Sequence, residues 1–172
     1  MASFTNPTWT PLGSSLIESR KEGPPNWCLN KLTVRGPEDD VANFRKPAVG
    51  HSPWPRHREG EGDTENLLNF FNLVPIPPEV LTAGYDSTGA NWERENWGCT
   101  HGAFETSIID DWEDALVYDF QTAWSPPIEF LEHAAKQWPA LTFILHYQKP
   151  GMGFEGIAKF EGETAEDHCI DY

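Results

Sequence analysis

The part of the chain from residue 115 onward contains an ordered series of strand and helix signals. Residues 115–123 (ALVYDFQTA) alternate between apolar and polar side chains, which predicts a strand with one buried face. Residues 125–127 (SPP) then open a helix, because Ser suits an N-cap and Pro suits a first helical turn. Residues 141–148 and 154–161 predict two further strands, joined by a hairpin turn at residues 149–151. This order predicts an antiparallel sheet with a helix packed on it.

The preceding residues predict a similar mixture of elements. Residues 26–34 (NWCLNKLTV) alternate as a first strand, and Pro37 opens a short helix that extends to about Phe44. We expect residues 67–74 (LLNFFNLV) to form a strand and residues 84–102 to contain a short helix. The whole order predicts an α+β fold, namely a ferredoxin-like βαββαβ sandwich. Its mostly antiparallel sheet would have four to five strands, with helices on one face.

Three segments lack any periodic pattern. Residues 1–25 predict an N-terminal arm, and residues 162–172 predict an acidic tail. Residues 45–65 are rich in Pro and Gly and predict a loop. The predicted domain therefore spans residues 26–161, with an insertion at about residues 45–65.

The charge of the chain is strongly negative and unevenly distributed. The 172 residues contain 12 Lys and Arg against 27 Asp and Glu, a formal net charge of −15. Residues 1–62 contribute +1 (8 basic, 7 acidic), and residues 63–172 contribute −16 (4 basic, 20 acidic). A chain this acidic is not expected to bind bulk nucleic acid, which requires a basic face.

The composition also bears on the compartment. No apolar run is long enough for a membrane span, and residues 1–25 lack the layout of a secretory signal. The three cysteines cannot all pair within one chain, so we expect a reducing compartment. The sequence therefore predicts a cytoplasmic protein without a membrane partner.

Three segments carry a family resemblance when they are taken together: residues 26–36 (NWCLNKLTVRG), residues 96–98 (NWG) with residues 122–127 (TAWSPP), and residues 147–156 (YQKPGMGFEG). They resemble the plasmid- and phage-encoded ferredoxin-domain family whose members are called YubB-like or Api-like. The resemblance implies a ferredoxin-like fold and a mobile-element origin, which favours a role against bacterial defence. It implies no catalytic residues. Residues 99–102 (CTHG) stand where the family has a Thr-Lys-Trp-Asp-like run.

Two patterns suggest chemistry but have simpler interpretations. Residues 151–156 (GMGFEG) satisfy G-x-G-x-x-G, but a strand follows where a dinucleotide fold requires a helix, so we expect a hairpin turn. Asp119 and His146 lie on predicted strands and are candidates for an acid–base pair, although a surface pair is the default expectation. No catalytic residue is predicted from either pattern.

No metal ion or other cofactor is predicted. Thiol and imidazole groups adjoin in two places, and a third thiol lies elsewhere: Cys99 with His101, His168 with Cys169, and Cys28. Zinc accepts such ligands, but the spacing matches no compact zinc site.

The inserted loop holds the main concentration of positive charge in this acidic chain. Arginine side chains suit phosphate oxygens, and an exposed indole suits stacking on a base. The predicted ligand-binding residues are Arg45, Lys46, His51, Trp54, Arg56, His57 and Arg58. The alternative is a loop whose cations balance neighbouring acidic groups.

These observations favour a non-enzymatic, phage-type binding protein that sequesters a small nucleotide-type immune signal. A homo-oligomer could close the pocket between subunits. The second hypothesis is an acidic protein–protein inhibitor, or nucleic-acid mimic, directed against a basic host defence factor. A third is a hydrolase of the same signals.

Overall fold

The computed structural model describes residues 26–54 and 65–172. The helices in these residues are α1 (Glu38–Ala48), α2 (Phe70–Leu73), α3 (Pro78–Ala83), α4 (Ala90–Trp97) and α5 (Ile128–Gln137), and a π-helical turn spans Tyr85–Gly89. The strands are β1 (Trp27–Arg35), β2 (Thr100–Trp112), β3 (Ala115–Ala123), β4 (Thr142–Lys149), β5 (Phe154–Glu161) and β6 (Thr164–Asp171). None of these helices is both long enough and apolar enough to cross a membrane.

The six strands form one antiparallel sheet in the order β2-β3-β1-β4-β5-β6. β1 lies near the centre because every second residue is apolar or hydrogen-bonded and can be buried. Its Leu32 lies between Tyr118 of β3 and Leu145 of β4, and all three side chains are fully buried. The predicted α+β class and antiparallel sheet are confirmed, with six strands instead of four to five.

The hydrophobic core lies between one face of this sheet and helices α1, α2 and α5. Phe44 of α1 packs edge-on against Phe143 of β4, with ring centroids 5.5 Å apart. Phe70 of α2 stacks on Phe130 of α5 at 3.7 Å. Burying a side chain of this size stabilises the fold by about 2–3 kcal/mol. The aromatic contacts therefore fix these helices on that face, and the opposite face of the sheet is not covered by them.

Two predictions for the first half of the chain are wrong. Residues 45–48, predicted to begin a loop, form the last turn of α1, because Ala48 extends the buried stripe of Val41 and Phe44. Residues 67–74, predicted as a strand, contain helix α2. The Asn69 side chain caps this helix by accepting a hydrogen bond from the Asn72 amide at 2.8 Å.

Two strands lie where the sequence predicts none. β2 begins inside the predicted helical stretch 84–102, and its register against β3 shifts at three points, so it shows no regular alternation. β6 occupies the predicted acidic tail, and all of its residues are exposed, so no buried face marks it in the sequence. Both are edge strands. The predicted hairpin turn at residues 149–151 joins β4 and β5 and is confirmed.

Candidate functional site

The face of the sheet opposite the core carries a row of side chains that crosses five strands. The register places Asp119, Lys31, His146, Ile157 and His168 side by side on β3, β1, β4, β5 and β6. Paired residues of antiparallel strands point to the same face, with Cβ atoms about 5 Å apart. We call this series the Lys31 row.

A groove of about 760 Å³ runs along the Lys31 row, and we call it the open-face groove. Leu29, Ile157 and Ile170 supply its apolar surface and are 42%, 42% and 60% exposed. Gln148 and Glu155, which pair with each other in the adjacent row, add an amide and a carboxylate. The volume suits a small ligand, and exposed apolar groups with a polar rim are typical of binding surfaces.

Asp119 and His146 both lie on the open-face groove, but they do not form a direct pair. Each is the register partner of Lys31, so β1 separates them. Two strand spacings hold their backbones about 10 Å apart. An acid–base pair would need heavy atoms within hydrogen-bonding distance, which this separation does not allow. Lys31 lies between the two residues instead.

The structure describes four of the seven residues in the predicted basic site. Arg45 Nη1 donates to Asp111 Oδ2 at 2.6 Å, and Lys46 Nζ donates to Asn43 Oδ1 at 3.1 Å. His51 is exposed and Trp54 is half-buried. The other three predicted residues, Arg56, His57 and Arg58, lie outside the described ranges. The role of the set in ligand binding stays a prediction.

The described members of that set do not converge on one point. Arg45 is bonded to Asp111, which pairs with Leu116 of β3, whereas Thr100 at the other end of β2 pairs with Ala123. These two β3 positions are seven residues apart, which is about 23 Å. The Trp54 indole lies near the Thr100 end, so Arg45 and Trp54 are held at opposite ends of β2.

Trp54 occupies a pocket formed by the π-helical turn and α4. Its Nε1 donates to Glu93 Oε1 at 2.8 Å, and its ring lies edge-on to Tyr85 with centroids 5.4 Å apart. A Cβ atom on Gly89 would come within 2.7 Å of the indole, so the glycine makes room for the ring. We call this arrangement the Trp54 pocket. In this position the indole is half-buried and its polar edge is bonded to Glu93.

Glu93 is the buried carboxylate of the Trp54 pocket. Its side chain is fully buried, and Oε2 accepts a hydrogen bond from the His101 amide at 2.7 Å. Burial raises the pKa of Glu93 to about 7, although the hydrogen bonds that Trp54 and the His101 amide donate to the carboxylate oppose the shift. The adjacent Tyr85 hydroxyl lies 2.9 Å from His101 Nδ1, and burial together with the Glu93 charge raises the pKa of Tyr85.

The backbone at this point is also unusual. His101 adopts a φ of 65°, a conformation that costs free energy in a residue with a Cβ atom. The hydrogen bond from its amide to Glu93 holds that conformation in place. Sequence reasoning misses Glu93, Tyr85 and His101 as a group, because their proximity depends on the unpredicted start of β2.

The three thiols do not form a metal site in the part of the chain that the structure describes. No group of three or more His, Cys, Asp or Glu side chains converges there. Cys28 and Cys99 are buried, whereas Cys169 is exposed on β6, and all three are free. Burial raises the pKa of Cys28 to about 11 and that of Cys99 well above its usual value, which disfavours the thiolate that zinc requires.

The protein has an antiparallel sheet with helices on one face and a groove on the other. This architecture is an α+β sandwich of the ferredoxin-like type. Residues 90–172 match the family described as the ferredoxin-like domain in Api92-like protein. The resemblance to the Api-like ferredoxin-domain family seen in the sequence is therefore confirmed over these residues. The matched region includes β6.

A solved structure extends the fold to the N-terminal elements. The crystal structure of a protein api92 from Yersinia pseudotuberculosis matches with a TM-score of 0.67, over 87% of this chain and 98% of that chain. The sequence identity is 10%, so the likeness concerns the fold alone. None of the curated proteins matches the sequence.

Proposed function

We propose that this protein is a non-enzymatic binding protein that sequesters a small nucleotide-type ligand in the open-face groove. The observation that carries the proposal is the Lys31 row, which presents donors, an acceptor and an apolar side chain on one exposed surface beside a groove of ligand size. The groove replaces the basic insertion as the main binding surface of the proposal.

The mixed chemistry of the groove suits the parts of a nucleotide. Lys31 supplies a cation for a phosphate, and its ammonium group forms no ion pair with any described residue. Asp119 and Glu155 supply carboxylates, which accept hydrogen bonds from ribose hydroxyls or base amino groups. Ile157 and Leu29 offer an apolar surface on which a base can lie. A groove that combines both signs of charge also disfavours a long polyanion.

The groove favours binding over catalysis. None of its lining residues in the described ranges is a Ser, Thr or Cys, so these common nucleophiles are missing from its surface. Asp119 and His146 are too far apart to act together on one proton. The groove therefore lacks the Asp119–His146 acid–base pair that the sequence suggested.

The biological setting of the proposal comes from the family. A phage or plasmid origin favours a role against bacterial defence, with the ligand as an immune signal in the host cytoplasm. The three free thiols support a reducing compartment.

Calorimetric titration tests the proposal with a panel of cyclic dinucleotides and ADP-ribose-type nucleotides. We expect at least one member to bind with one defined stoichiometry and to be recovered intact when the complex is denatured. Recovery of a cleaved ligand would instead support the hydrolase hypothesis. Absence of binding by every member would overturn the proposal.

A further inference from the structure

The sheet ends in two edge strands that differ in regularity. β2 shifts register against β3 at three points, and His101 and Glu105 within it have positive φ values of 65° and 48°. β6 pairs with β5 through eight consecutive residues without a shift. Bulges prevent an edge from pairing with a further strand, so β2 is protected in a way that β6 is not.

β6 also lacks the other features that usually block an edge. It contains no Pro, Lys or Arg, and every one of its residues is exposed. No other element of the described ranges packs along its outer side. Such a strand presents a row of backbone N–H and C=O groups in the geometry that an additional strand requires.

The charge of β6 selects among the strands that could add to it. Glu166, Asp167 and Asp171 are acidic and exposed; Asp167 accepts a hydrogen bond from Tyr147 at 2.8 Å, and Glu166 lies opposite Lys159 of β5. A second copy of β6 would bring a strand of the same sign against this one, and like charges across a strand pair are destabilising. A strand with basic side chains would instead be attracted to the carboxylates of β6.

We propose that β6 is a docking edge for a basic, extended segment of another protein, which adds to the sheet as a seventh strand. Backbone hydrogen bonds would supply the affinity, and Glu166 and Asp171 would select basic side chains. The two selecting carboxylates do not line the open-face groove, although His168 and Ile170 of the same strand do.

Hydrogen exchange of the full chain with three synthetic peptides tests the proposal. The probe is an acetylated (Lys-Thr)4 peptide at about 1 mM, a concentration that detects a weak complex. Its controls are (Glu-Thr)4, which has the opposite charge, and (Lys-Pro)4, which keeps the charge but cannot form a strand ladder. We expect (Lys-Thr)4 to slow exchange of the outward β6 amides about tenfold or more, and neither control to do so.

Charge reversal completes the test. The Glu166→Lys/Asp171→Lys variant should lose the response to (Lys-Thr)4 and respond to (Glu-Thr)4, whereas the matched variant Asp110→Lys/Glu113→Lys near the opposite edge should behave as wild type. Equal protection by (Lys-Pro)4, or no protection by any peptide, overturns the proposal. Protection of the outward β6 amides in the protein alone also overturns the proposal. If that protection increases with protein concentration, a second copy occupies the edge. If it does not depend on concentration, another segment of the same chain occupies the edge.

Discussion

The open-face groove and the Trp54 pocket use their polar side chains in opposite ways. In the Trp54 pocket, both oxygens of the buried Glu93 accept hydrogen bonds, from Trp54 and from the His101 amide. In the groove, the side chains of Lys31 and His146 are exposed and form no hydrogen bond or ion pair with other described residues. Polar groups that are satisfied within the protein stabilise its fold. Polar groups that face solvent around an apolar surface are available to a ligand, so the two regions should respond differently to mutation.

The largest effect on stability is expected from removing the indole of the Trp54 pocket. Trp54→Ala should lower the free energy of unfolding by about 2–4 kcal/mol, because it removes the packing on Tyr85 and leaves the buried Glu93 with one fewer donor. Urea denaturation measures the change. A loss below about 0.5 kcal/mol would show that the indole is not held in this pocket.

Glu93 should make the stability depend on pH. Its pKa in the folded protein, about 7, lies above its value of 4.5 in an unfolded chain. The folded state therefore binds more protons between these values, and the contribution of Glu93 to stability is greatest below pH 4.5 and falls as the pH rises to about 7. The expected loss is about 3 kcal/mol.

The Glu93→Gln variant isolates this dependence. The amide of the variant does not titrate. The unfolding free energy of wild type relative to the variant should therefore fall as the pH rises from 4.5 to 7. Urea titrations at a series of pH values measure the difference. A constant difference would contradict the assignment of the shift to Glu93.

A substitution at Gly89 tests whether the Trp54 indole fills the space beside this residue. A Cβ atom there would lie 2.7 Å from the ring of Trp54, so Gly89→Ala should cost about 1–3 kcal/mol. The φ of −63° at Gly89 suits any residue, so most of the cost should disappear when Trp54 is already Ala, and the remainder reflects the Gly84 carbonyl oxygen 3.2 Å from the added Cβ. Thr88→Ala, at an exposed position in the same turn, is the control. An equal cost in both backgrounds would place the indole elsewhere.

The groove should give the smallest change in stability. Lys31→Ala and His146→Ala remove exposed side chains, so each should alter the free energy of unfolding by less than about 0.5 kcal/mol. The same urea denaturation measures it. A loss above about 1.5 kcal/mol for either variant would mean that these residues support the fold, and the contrast between the two regions would fail.

The sequence predicts the regular parts of the fold better than the sites. β1, β3 and β5 are recognisable in the chain because buried apolar residues recur along each of them, and their predicted bounds agree with the structure to within one residue. α2 cannot be recognised in the same way, because one apolar helical turn and one apolar strand have the same composition. β6 has no buried face, so it carries no alternation.

The sites depend on contacts between residues far apart in the chain. The Lys31 row joins five strands, and its register follows from pairing that the sequence does not specify. Trp54 is visible in the sequence as an indole among cations, but Glu93 lies 39 positions away and decides its orientation. The sequence therefore suggests that Trp54 is exposed, whereas the fold turns its polar edge inward.

The most direct test of the account is the affinity of the Lys31→Ala variant for the nucleotide that binds wild type most tightly. Because a hydrogen bond to a charged group contributes about 1.5–3 kcal/mol, we predict a loss of about tenfold or more. Lys136→Ala, at an exposed cation on α5, should bind as wild type, as should the Arg56→Ala/Arg58→Ala variant of the insertion. Unchanged affinity in Lys31→Ala, with a loss confined to Arg56→Ala/Arg58→Ala, would contradict the account and place the ligand at the insertion.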